Sequence, residues 1–120
     1  MSTNTKPTFT VASHFSRSAE SVHDTYTALL EASREFGKVR EDPKKTSIHL
    51  MRETAFAGVA IQKSALILTL KSDSDVVSKR IIKREQASTN RWHLEIKLET
   101  PAQVDRELLT WLSKAYQLAA

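Results

Sequence analysis

Two periodicities divide the chain. From Val22 the apolar positions Val22, Tyr26, Leu29, Leu30 and Phe36 recur at offsets of 0, 4, 7, 8 and 14. That spacing gathers them on one face of a helix. Ser21 with Asp24 three places on resembles a capping arrangement, and Gly37 can adopt the left-handed conformation that closes a helix, so the first helix is predicted over residues 19 to 36. After Pro43 the period becomes two. Ile48 and Leu50 alternate with Ser47, His49 and Met51, and the runs "AFAGVAIQ" and "SALILTLK" follow across a turn at Gln62-Lys63-Ser64. Gly58 inside the middle run points to a bulge or a close backbone approach. Residues 71 to 75, "KSDSD", read as a polar loop. "SKRIIKREQA" and "RWHLEIKLE" then bracket Ser88-Thr89-Asn90 as a hairpin turn. In the last run Trp92, Leu94, Ile96 and Leu98 face one way and His93, Glu95 and Lys97 the other.

The strand alternation implies an antiparallel sheet with one face covered. Thr100-Pro101-Ala102-Gln103 predicts a helix start, because Thr can accept from an early backbone N–H, Pro fits the first helical position and Gln can reach back. Val104, Leu108, Leu109, Trp111, Leu112, Ala115, Tyr116 and Ala119 then form a broad apolar stripe. The expected fold is therefore α+β: an antiparallel sheet of about five strands packed against an N-terminal and a C-terminal helix. Residues 1 to 15 read as an extended or flexible arm, with Phe9, Val11 and Phe15 as anchors, and residues 16 to 120 as a single domain.

Composition supports that frame. A chain of 120 residues with 40% hydrophobic and 27% charged residues, two Gly and three Pro is of globular type and long enough for one core. No stretch approaches the roughly 18 apolar residues of a membrane span, and the start lacks the pattern of a signal peptide, so a cytoplasmic location is expected. With no cysteine, thiol catalysis, thiolate metal sites and disulfides are excluded. The net charge of +4 is unevenly spread. Residues 38 to 97 hold thirteen Lys/Arg against seven Asp/Glu, while the segments on either side each carry one excess acid. A basic middle suggests an anion or a nucleic acid as partner.

The segments "EDPKKTSIHLMRETAFAGVAIQKSALILTL" and "EQASTNRWHLEIKLETPAQVDRELLTWLSKAYQL" resemble the bacterial domain-of-unknown-function family 5655, and the likeness extends through His14-Phe15 and the first helix. Its motifs are Pro43-Lys44-Lys45-Thr46, Phe56-Ala57-Gly58-Val59, Asn90-Arg91-Trp92-His93 and Trp111-Leu112 with Ala115-Tyr116. Trp92 departs from the family pattern, which has a smaller aromatic there. The family has no established activity. In larger proteins, segments similar to this one look like appended modules, which favours binding over catalysis.

The matching segments carry Lys44, Lys45, His49, Lys63, Arg91 and His93, side chains suited to phosphate or carboxylate recognition. If the faces bearing His49 and His93 are one side of the sheet, both can meet one ligand. The alternative is a solvated Lys-Lys turn with two histidines satisfying backbone groups. Lys79, Arg80, Lys83 and Arg84 concentrate charge on one hairpin, which could follow a nucleic-acid backbone if they form a one-sided stripe. His14, His23, His49 and His93 lack the short spacing of a zinc site, and no metal or other cofactor is implied. Glu95-Ile96-Lys97 with Asp73 and Asp75 upstream resembles the core of PD-(D/E)XK nucleases, but that fold needs crossover helices and none is predicted between residues 46 and 99. No Gly-rich phosphate loop or serine elbow is present. The residues thus favour a non-enzymatic binding module for an anionic ligand or nucleic acid. The alternatives are a protein-interaction domain, pairing through an exposed edge strand with a partner or a second copy, and a divergent metal-dependent nuclease.

Overall fold

A computed structural model describes residues 9–120. The chain runs α1 (Val11–His14), α2 (Glu20–Arg34), six strands, a 3-10 turn (Pro101–Gln103) and α3 (Arg106–Leu118). The strands are β1 (Arg40–Pro43), β2 (Ile48–Met51), β3 (Ala55–Ile61), β4 (Leu66–Ser72), β5 (Ile81–Ser88) and β6 (Arg91–Leu98). They form one sheet in the order β1-β2-β3-β4-β6-β5, and every pairing is antiparallel. The α+β architecture expected from the periodicities is the one present.

Alternation builds the core directly. Ile48 and Leu50, Val59, Leu66, Leu68 and Leu70, and Leu94, Ile96 and Leu98 all point to one side and are almost completely buried. Val22, Tyr26 and Leu29 of α2 and Leu108, Leu112, Ala115 and Tyr116 of α3 close over them. Burying apolar area of this kind stabilises by about 25 cal/mol per Å², so the two helices lie on this side and leave the other open. The hydroxyls that enter the core stay satisfied. Thr25 donates to the Ser21 carbonyl at 2.7 Å and Ser33 to the Leu29 carbonyl at 2.8 Å.

Several local expectations are corrected. The sheet has a sixth strand because "KKTS" forms the turn of a hairpin, closed by Lys44 N–H donating to the Ser47 carbonyl at 2.7 Å. Residues 40–43 thereby pair with β2 as a short edge strand, where Pro43 is tolerated because an edge does not need every donor. The first helix starts at Glu20 after Ala19, and no side chain caps it. Ser21 and Asp24 lie inside the helix; the start is fixed instead by Ala19 N–H donating to the Lys63 carbonyl in the β3–β4 turn at 2.8 Å. Thr100 and Gln103 do form a reciprocal capping box, but around the 3-10 turn. Val104 then leaves helical geometry, and Asp105 caps α3 by accepting from Leu108 N–H at 3.1 Å.

Residues 1–8 of the expected arm lie outside the described residues. Residues 11–14 of that segment form a helical turn, with Thr10 and Ser13 capping one another at 3.0 and 3.2 Å. Val11 and Phe15 pack against the core, whereas Phe9 is exposed. No helix among the described residues is long and apolar enough to cross a membrane.

Candidate functional site on the open sheet face

The register across the sheet decides which outward residues become neighbours. His49 of β2 stands opposite Gly58 of β3, Gly58 opposite Thr69 of β4, and Thr69 opposite Glu95 of β6. One step along, Lys71 of β4 stands opposite His93 of β6. His49, Thr69, Glu95, Lys71 and His93 therefore share the face that no helix covers among the described residues. The middle of that face is unusually low. Gly58 has no side chain, and Ala55 and Ala60 contribute one methyl each, so a shallow trough of about 320 Å³ opens between Ser47 and His49 on one bank and Lys71 and His93 on the other.

Gly58 matters here for space rather than for backbone strain. A methyl built on it would meet only His49 Cδ2, at 3.8 Å, an ordinary van der Waals contact. The edge of the His49 imidazole thus lies against the bare glycine and forms a wall of the trough. His49 and His93 are separated by β3 and β4, three inter-strand spacings or roughly 14 Å between their backbones. They cannot both ligate one metal ion at about 2 Å, but they can flank an elongated organic ligand lying across β3 and β4.

Charge is supplied mainly by Lys71. Its ammonium donates to Thr54 Oγ1 at 3.1 Å, and its pKa lies below the ordinary lysine value, first because burial disfavours the charge and second because the Arg91 charge lies nearby. A partly desolvated ammonium pushed by a second cation gains more than an ordinary surface lysine from an incoming anion. Glu95, at the far side of the face, stands 4.0 Å from Lys83 Nζ.

Of the residues named from sequence, His49 and His93 line this trough. Arg91 opens β6 and reaches it through its field on Lys71. Lys44 pairs with Asp42 at 3.0 Å in the β1–β2 turn, where its carbonyl is bonded to His14 Nε2 at 2.8 Å. Lys45 is exposed in the same turn. Lys63 sits in the β3–β4 turn beside His14 and Arg17, in a separate surface dip. Thr69 and Lys71 were not named from sequence. The alternation of "LILTLKS" does put them on the open side; what was lacking was the strand order that brings them between the two histidines.

The basic hairpin divides its charge. Lys83 stands opposite Glu95 and Arg84 opposite Leu94, so the two lie on opposite sheet faces. Arg84 donates to both oxygens of Asp75 at 2.7 and 2.8 Å. Arg80 is turned to the start of α3, where it donates to Asp105 at 2.7 Å, to Glu107 at 3.3 Å and to the Gln103 carbonyl at 2.7 Å. Lys79 is exposed. The four do not form a one-sided stripe. The nuclease arrangement does not assemble either: every strand pairing is antiparallel and, among the described residues, the passage from β4 across β6 to β5 is made without a helix, Asp75 is engaged by Arg84, and among the described residues no three His, Asp or Glu side chains group as a metal site.

No curated protein and no solved structure matches the chain. The family described as domain of unknown function (DUF5655) matches residues 11–119, from the helical turn at Val11 to the end of the last helix. The match takes in all six strands and both packing helices, and the chain belongs to the DUF5655 family.

Proposed function

We propose that the domain is a non-enzymatic binding module whose open sheet face holds a small organic anion. The observation that carries this reading is the trough itself: two imidazoles and a half-exposed lysine around a floor of Gly58, Ala55 and Ala60. The small floor residues leave room for a flat apolar body. The rim offers hydrogen-bond donors and positive charge at its edges, the combination that fixes a ligand's orientation in an otherwise apolar site. Phosphate or carboxylate on such a body would be met by Lys71 and His93. The division of the hairpin cations between two faces favours a small anion over a nucleic-acid backbone, because a phosphate chain needs several contacts on one side.

Titration with phenyl phosphate and benzoate, followed by the ring-proton and nitrogen NMR signals of the histidines, tests the reading. Saturable shifts confined to His49 and His93 are expected, with affinity reduced tenfold or more in the His49→Ala/His93→Ala double variant and its unfolding midpoint nearly unchanged. Equal affinity in wild type and double variant would remove the trough as the binding site.

A further inference from the structure

A second concavity, of about 840 Å³, lies where the α2–β1 connection, the β2–β3 turn and α3 meet. Arg34, Lys38, Arg40 and Arg52 line it, together with Glu53 and Tyr116. Four cations face one carboxylate. Among the described residues, Arg34 alone of the four pairs with a carboxylate, Glu41 at 3.9 Å, a long contact between partly exposed groups that neutralises little. Among the described residues Lys38 and Arg40 form no ion pair.

The walls are held in place by Tyr116. Its hydroxyl donates to the Lys38 carbonyl at 2.9 Å, and its own carbonyl accepts from Arg52 at 3.1 Å, while the Arg52 guanidinium stacks over its ring at 4.4 Å. Arg52 is thus oriented without being neutralised. The β2–β3 turn is tied to the end of α3 as well, by Glu53 and Thr54 N–H groups donating to the Ala119 carbonyl at 3.1 and 3.2 Å. Gly37 permits the close approach of the connection to Tyr116. Its φ is +148°, and a methyl there would stand 2.5 Å from the tyrosine hydroxyl oxygen.

We infer that this cleft is an anion site separate from the trough, built for a compound carrying a pyrophosphate group. Two helix C-termini approach it, each worth about half a negative charge. Four full positive charges against one carboxylate outweigh them. Three of the four are arginines, whose planar donor forks match the spread oxygens of phosphate better than a lysine does. The volume lies in the range of ligand sites, about 300–1,000 Å³, and leaves room for an organic body beyond the two phosphates.

Calorimetric titration with inorganic pyrophosphate, with citrate as a polycarboxylate of similar charge, tests the assignment at about 50 and 200 mM salt, the range over which phosphate contacts weaken steeply. Saturable pyrophosphate binding, weaker binding of citrate, and a tenfold or greater loss in Lys38→Ala/Arg40→Ala are expected. Both side chains are exposed, so that variant should keep its unfolding midpoint. The His49→Ala/His93→Ala variant should bind pyrophosphate as wild type does. Absence of binding at low salt, equal binding of citrate, or a loss caused by the histidine variant and not by the Lys38/Arg40 variant would overturn it. The last of these outcomes would move the phosphate to the trough, whereas the first two leave the trough's binding of phenyl phosphate standing.

Discussion

Strand β4 sends Leu66, Leu68 and Leu70 to one side of the sheet and Ile67, Thr69 and Lys71 to the other, and among the described residues only the first side is closed off by helices. Backbone pairing is shared by the two faces, so the difference between them lies in side chains alone. On the covered face large apolar residues interlock without exposure. On the open face the central positions are Gly58, Ala60 and Thr69, flanked by ionisable groups. Stability is thus concentrated on one side of the pleat, and the other is free to vary its chemistry at little cost to folding. The largest test of that contrast is a pair of neighbouring truncations. Leu68→Ala should destabilise by about 2–5 kcal/mol, the range for a buried leucine that leaves a cavity. Thr69→Ala, one residue on, should stay within about 0.5 kcal/mol. Urea unfolding of both variants measures the difference, and comparable losses would mean that the open face is part of the stabilising core.

This contrast also explains what could be read from the chain and what could not. Period-two alternation is local, and it assigned Ile48, Leu50, Leu94 and Ile96 to the core and His49 and His93 to the opposite face. That both histidines lie on one side of one sheet depends on register through β3 and β4, which alternation does not encode. Lys71 ends the run "SALILTLK" and begins the polar "KSDSD", so the pattern does not fix where the strand stops; Lys71 and Ser72 complete β4. The helix starts show the same limit. Ser21-Asp24 satisfies a local pattern, but the helix begins where a tertiary bond from Ala19 to the Lys63 carbonyl fixes it. The Thr100 box forms as expected and still does not start α3, because the chain is redirected at Val104, and Arg80 from β5's approach holds the Gln103 carbonyl and Asp105.

Asp105 provides the intermediate test, since it joins the hairpin to the covered face. It caps α3 and binds Arg80, and its carboxyl is held below its ordinary value of 3.8, first by the Arg80 hydrogen bond and then by Leu108 N–H. A depressed carboxyl pKa stabilises the fold at pH above the unfolded value, and that contribution disappears as pH falls through the folded value. Asp105→Ala should cost about 1 kcal/mol at neutral pH, as for a lost cap. Asp105→Asn can still cap but cannot titrate. Its stability should therefore fall less than wild type's between pH 4 and pH 2, roughly the window around and below the ordinary carboxylate range. Parallel acid dependence of the two proteins would show that the Arg80–Asp105 pair contributes nothing to folding.

The smallest effect on stability should separate the faces most cleanly. Gly58→Ala adds a methyl on the open face, in a strand whose backbone any residue can adopt. The nearest atom to that methyl is His49 Cδ2 at 3.8 Å, so no overpacking arises. Removing a glycine also reduces the entropy of the unfolded chain, an effect of about 0.4–1 kcal/mol in favour of folding. The variant should be as stable as wild type or slightly more so. Its methyl nevertheless stands on the trough floor, beside the wall formed by His49. If the trough holds an organic anion through contact with that floor, phenyl phosphate should bind several-fold more weakly to Gly58→Ala, while binding at the cleft lined by Arg40 and Arg52 is unaltered. A stabilised protein that has lost affinity would place the binding function on the uncovered side of the sheet, because a merely structural role for Gly58 predicts the opposite sign for at least one of the two measurements.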